Sequence, residues 1–79
     1  MSQIDKLIKK FFTDPTLLKY PEILRVLQYF GFEKMGIVGS HVKFKHPRLP
    51  FDLVIPVHKN ERKDFYKREA KKYIRKIME

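Results

Sequence analysis

An α+β fold, with a three-stranded antiparallel sheet and helices on one of its faces, is what the order of hydrophobic periods along this chain predicts. Apolar residues recur at helical spacing up to Phe30, change period from Phe32, alternate at period two in His41–His46 and from Phe51 to Val57, and return to helical spacing after Asn60. The predicted order is helix, helix, strand, strand, strand, helix, with no repeat, low-complexity tract or linker between elements. At 79 residues the chain reads as one domain, residues 1–79, too short for two independent cores.

The first helix follows from Ile4, Leu7, Ile8, Phe11 and Phe12 on one face and Lys6, Lys9 and Lys10 on the other. Ser2 and Asp5 stand at capping-box spacing before it, and Thr13-Asp14-Pro15 ends it. The wide apolar face either packs on the chain's own core or meets a partner. Pro21 suits the first turn of a second helix with Ile23, Leu24, Leu27 and Phe30 inward, and Gly31 is its C-cap.

Phe32 to Val38 is a short stretch with aromatic Phe32 and β-branched Ile37 and Val38, interrupted by Gly36, which predicts a strand, and Gly39-Ser40 punctuates it as a turn. In His41–His46, Val42 and Phe44 alternate with His41, Lys43 and Lys45, predicting a half-buried strand with one cationic face. Pro47 to Pro50 is a loop. Phe51, Leu53, Ile55 and Val57 alternate along a third strand that Pro56 places near an edge or a strand end.

Asn60 caps a last helix carrying Glu61 and Asp64 in its first turn. Its predicted buried stripe is Phe65, Tyr66, Ala70, Tyr73, Ile74 and Ile77. Arg62, Lys63, Lys67, Arg68, Lys71, Lys72, Arg75 and Lys76 cover the rest.

Composition narrows the function. Cysteine is absent, which excludes disulfides and thiolate metal sites, so stability must come from packing. Three histidines without metal-ligand spacing predict no metal, and so short a chain predicts no cofactor. No amino-terminal apolar run resembles a signal peptide, and no apolar stretch is long enough to span a bilayer, so no membrane association and a cytoplasmic location are expected. Eighteen Lys and Arg against nine Asp and Glu leave a formal charge of +9, which favours a polyanionic partner. Charge alone does not choose among nucleic acid, an anionic surface and an acidic protein.

An antiparallel sheet covered on one face leaves the other to water. If Val42 and Phe44 turn toward the helices, His41, Lys43 and Lys45 stand together on the open face, about 7 Å apart along the strand. RNA cleavage proceeds without a metal when a base takes the proton of a 2′-hydroxyl that then attacks the adjacent phosphate, and histidine suits that role. Lys43, Lys45 and the N–H groups of the Gly39-Ser40 turn would stabilise charge on the phosphate oxygens. Spacing by itself equally describes a solvated basic strand with a bystander histidine. His58 and Lys59 follow the third strand near the same face or lead into the last helix. His46, before Pro47, tracks the apolar side of its strand, which points to a structural or solvated role.

The run Gly39-Ser40-His41-Val42-Lys43-Phe44-Lys45-His46-Pro47 resembles the HicA family of toxins, whose signature is a Gly-Ser-His turn entering a strand with Phe three residues on, often followed by His-Pro. The likeness extends upstream to a helix ending at Gly31-Phe32. Downstream, Val54-Ile55-Pro56-Val57-His58-Lys59 is similar to the family's third strand and its Val-Pro-x-His element, and the likeness covers roughly Glu22 to Ile77. It implies a fold like the double-stranded RNA-binding domain, preceded here by an additional N-terminal helix in residues 1–20, with a core of 21–79. It also implies an mRNA-cleaving endoribonuclease that arrests translation and is neutralised by a HicB-type antitoxin. The catalytic histidine carries over to His41, and Gly39 and Ser40 carry over as the turn that places it. Lys67-Arg68-Glu69-Ala70-Lys71 resembles the Lys-Lys-x-Ala-Lys segment with which double-stranded RNA-binding domains contact phosphates, which adds Lys67, Arg68 and Lys71 to an RNA-binding set of Gly39, Ser40, Lys43, Lys45, His58 and Lys59. The alternatives are a non-catalytic double-stranded RNA-binding module and a protein-interaction domain with an acidic partner.

Overall fold

Ser2 opens the first helix, as the capping pattern predicts. In the computed structural model, which describes residues 2–56 and 65–79, its Oγ accepts the Asp5 N–H at 3.3 Å and its hydroxyl donates to the Asp5 carboxylate at 3.0 Å. The end of the expected third strand, His58, Lys59, and the Asn60 cap with Glu61, Arg62, Lys63 and Asp64 lie outside the described residues.

Helix α1 (Gln3–Thr13) buries Leu7 and Phe11 in the chain's own core and keeps Lys6, Lys9 and Lys10 in water. The stop at Thr13-Asp14-Pro15 is also a structural element, a 3₁₀ turn at Pro15–Leu17. Asp14 caps it by accepting the Thr16 N–H at 3.0 Å and the Thr16 hydroxyl at 2.8 Å. Leu18 follows, almost wholly buried.

Helix α2 (Tyr20–Tyr29) starts one residue before Pro21, and Glu22 accepts the Lys19 N–H at 2.8 Å. Ile23, Val26 and Leu27 are its buried residues, with Leu24 and Phe30 packed partly against them. At its end the Gly31 N–H reaches Gln28 O at 3.1 Å and the Phe32 N–H reaches Leu27 O at 3.0 Å. With Gly31 at φ +93° this pairing is a Schellman motif, which satisfies carbonyls the helix leaves open.

Strands β1 (Glu33–Val38), β2 (His41–Lys45) and β3 (Leu53–Pro56) form an antiparallel sheet in the order β1-β2-β3. Two edges therefore flank a central β2. Helix α3 (Phe65–Met78) packs on the same side of the sheet as α1 and α2, and Val42, Phe44, Leu53 and Ile55 meet Phe11, Leu27, Tyr66, Ala70 and Ile74 in one core. The element order and one-sided packing are as predicted.

Three side-chain placements differ from the expectation. Phe65, assigned to the buried stripe of α3, is 67% exposed, because inward facing starts with Tyr66. Lys67, assigned to the solvent side, is 4% exposed, because the chain around Pro15–Leu17 packs over this first turn of α3. Phe51 precedes β3 and stacks on Tyr73 with ring centroids 5.0 Å apart. Among the described residues no helix is long and apolar enough to cross a membrane.

Candidate functional site

The alternation in β2 resolves as predicted: Val42 and Phe44 are buried, while His41, Lys43 and Lys45 are exposed. Since the helices lie on the Val42 and Phe44 side, the histidine and both lysines share the opposite face of the sheet. The loop joining β1 to β2 is the two residues Gly39 and Ser40, with Val38 paired to His41. Gly39 has φ +62° and Ser40 does not have positive φ, the pattern of a type II′ hairpin turn. Glycine is needed there for its backbone conformation, and its α-carbon faces open space.

Pairing sets the neighbours of each site residue, because directly paired residues project from the same face. Val38, His41 and Pro56 form one row across the three strands, Gly36, Lys43 and Val54 the next, and Glu33 stands opposite Lys45. A β-bulge between Lys34 and Gly36 shifts the register of β1. Gly36 consequently lies beside Lys43 with nothing within 4 Å of where a Cβ would be. Val38 and Val54 are 61% and 44% exposed, so the histidine and Lys43 are bordered by uncovered apolar side chains.

These flanking positions were missed in the residue pattern. The signal that finds them is the two-residue Gly39-Ser40 loop, which obliges Val38 to pair with His41 and propagates the register from there. Glu33 is a second omission. A carboxylate across from Lys45 moderates the positive field at that end of the strand.

Ser40 Oγ approaches His41 Nδ1 at 3.5 Å, the long limit of a hydrogen bond. If Nδ1 carries the proton and Ser40 accepts it, Nε2 presents its lone pair to the open face. His46 is different. It is 6% exposed, its Nδ1 accepts the Arg48 N–H at 3.0 Å, and its Nε2 lies 2.9 Å from Phe30 O. Because Nδ1 is an acceptor, the hydrogen is assigned to Nε2, which donates to the carbonyl. Its ring also packs on Phe32 with centroids 4.9 Å apart, so His46 is a structural histidine.

The basic helix does not join the sheet face. Arg68 is exposed and Lys71 half-buried on the helical layer, across the sheet from His41. They lie near Asp14, whose carboxyl is held below its ordinary value first by the Thr16 hydroxyl and N–H, with Arg68 and Lys71 adding to the effect. Lys67 is buried apart from them, its ammonium 5.9 Å from the centre of the Tyr66 ring. It therefore does not share a phosphate-accessible surface with Arg68 and Lys71. His58 and Lys59 lie outside the described residues. Among the described residues no three His, Asp or Glu side chains come close enough together to hold a metal ion.

The family model described as the HicA toxin of bacterial toxin-antitoxin matches residues 20–78. Neither a curated protein nor a solved structure matches the chain. The matched span begins at the first residue of α2 and contains the whole sheet and α3 up to Met78. Helix α1 and the 3₁₀ turn precede it.

Proposed function

Since the chain belongs to the HicA toxin family of bacterial toxin-antitoxin systems, we propose that it is an endoribonuclease that cleaves mRNA at the open sheet face, with His41 as general base and acid. The observation that carries this reading is the exposed His41 at the head of the central strand, beside Lys43 and the Gly39-Ser40 turn.

The proposed chemistry is an internal transesterification. His41 Nε2 takes the proton of a ribose 2′-hydroxyl, and the 2′-oxygen forms a bond to the adjacent phosphorus. The bond from phosphorus to the 5′-oxygen breaks, and the imidazolium proton is available to that leaving oxygen. The products are a 2′,3′-cyclic phosphate and a 5′-hydroxyl. Ser40 accepts from Nδ1 and holds the required tautomer. Lys43 and the N–H groups of the Gly39-Ser40 turn stabilise the charge that develops on the non-bridging oxygens. The empty space beside Gly36 admits the backbone of the substrate next to Lys43.

Lys45, opposite Glu33, is assigned to a flanking phosphate. Arg68 and Lys71 are assigned to phosphates away from the cleaved linkage, since the sheet separates them from His41. His58 and Lys59 follow β3, whose Pro56 pairs with His41, and are assigned to RNA contact by their place in the sequence. The activity arrests translation in the cytoplasm, and the neutralising partner is a HicB-type antitoxin.

The test is incubation of the purified chain with a defined mRNA in excess chelator, followed by analysis of the fragment ends. Cyclic phosphate and 5′-hydroxyl ends support the mechanism. Salt-dependent binding without fragments supports the non-catalytic RNA-binding module instead.

A further inference from the structure

Strand β1 carries apolar side chains that the fold does not cover. Met35, Ile37 and Val38 are 52%, 57% and 61% exposed, three such residues within four consecutive positions. They do not share a face. Ile37 pairs with Val42, whose side chain is buried, so Ile37 lies on the helical side of the sheet, whereas Val38 pairs with His41 and lies on the open side. Met35 sits at the bulge between Lys34 and Gly36. Because β1 is an edge of the described sheet, the outer side of its backbone offers N–H and C=O groups to another strand.

From this arrangement we infer that β1 is the docking edge for the antitoxin, which adds a strand of its own to the sheet. The inference rests on the toxin reading above and names the surface through which the partner acts. Apolar residues on both faces of one edge decide the mode of contact. A helix laid against either face would cover Ile37 or Val38 but not both, whereas a strand beside β1 brings side chains to each face. Charge decides the occupant. β1 itself carries Lys34 and Glu33, Lys43 and Lys45 stand on the neighbouring β2, and the chain carries +9. Two copies that each carry +9 repel on approach, while an acidic partner is attracted. Beside the start of β1 an open concavity of about 510 Å³, lined by Gly31, Phe32, Glu33, Met35, Lys45 and Pro47, has room for a side chain of the partner. A strand paired to β1 stands next to Val38, in the row of His41, so docking there also narrows access to the catalytic face.

The experiment is amide hydrogen exchange on the purified complex of this chain with the co-expressed product of the adjoining reading frame, compared with the free chain. Strand addition predicts slowed exchange across Glu33–Val38. Ile37→Glu should weaken the complex by about tenfold or more, as loss of a packed apolar contact does, while the variant keeps its toxicity when expressed without the partner. Arg75→Glu, on the outer face of α3, should leave affinity within about twofold, a difference too small to mark a lost contact. Unchanged exchange in β1 within a stable complex, or loss of the complex in Arg75→Glu but not in Ile37→Glu, overturns strand addition and leaves the toxin reading intact. Protection of β1 in a dimer of this chain alone overturns the antitoxin as occupant. Failure of the adjoining product both to bind and to neutralise overturns the inference together with the toxin-antitoxin reading on which it rests.

Discussion

The Nε2 of His46 lies 2.9 Å from the carbonyl oxygen of Phe30, so the residue that follows the central strand is tied to the end of helix α2. The same ring bounds Gly31, where an added Cβ would stand 3.3 Å from Nε2. Of two histidines five positions apart, His46 is consumed by the fold and His41 is left to the surface.

His46→Ala should therefore reduce stability rather than chemistry. It leaves the Phe30 carbonyl and the Arg48 N–H without their partner and removes a buried ring, at a cost of about 2–4 kcal/mol. Denaturant unfolding checks this. Any RNA cleavage measured well below the unfolding midpoint should persist. Gly31→Ala should lose about 1–2 kcal/mol, because φ +93° is strained for alanine and its methyl group presses on the same imidazole.

Helix α1 lies before the matched family span yet contributes a fully buried Phe11 to the core. Phe11→Ala is expected to destabilise the chain by about 3–5 kcal/mol. Denaturant unfolding should show one shifted transition for the sheet and helices together, since Phe11 packs in the same core as Phe44 and Ile74.

The exposed and the buried lysines should respond differently to substitution. Lys43→Gln should lower RNA affinity and reduce the slope of log affinity against log salt by about 0.7–0.9, the signature of one phosphate contact. Lys45→Gln should do less, because Glu33 stands opposite it. Lys67→Gln should leave the salt slope unchanged and lower the unfolding midpoint, since the side chain is buried. Titrations of RNA binding at several salt concentrations separate the three.

Asp14 supplies a pH dependence. Its carboxyl titrates below the ordinary aspartate range in the folded chain because the Thr16 hydroxyl and N–H, then Arg68 and Lys71, favour the charged form. A group depressed in this way contributes stability above its unfolded value and loses it as pH falls through the folded one. Thr16→Ala should lower stability at neutral pH and flatten its fall below about pH 4, near the ordinary aspartate value, so that the two profiles converge in acid.

Much of this was legible in the residues because the periods are distinct. Alternation in His41 to Lys45 placed the site strand with its histidine and lysines on the correct face, and the helical stripes of α1 and α2 located most of the core. The missing parts depend on contacts between distant segments. Lys67 reads as exposed from its own neighbours, and only the packing of Pro15–Leu17 over α3 reveals its burial. The bulge that places Gly36 beside Lys43 depends on pairing that no short pattern encodes. The role of His46 was visible in its strand parity, but its partner Phe30 lies sixteen residues away.

His41 is proposed to move the proton in RNA cleavage. The measurement is the single-turnover cleavage rate of a defined mRNA by the purified chain and by His41→Ala, each with RNA affinity and unfolding midpoint determined in parallel. His41→Ala should lose about 100-fold or more in rate, the usual contribution of a general base, with affinity within a few fold and an unchanged midpoint. Cleavage by His41→Ala at the rate of the unaltered chain would contradict that role.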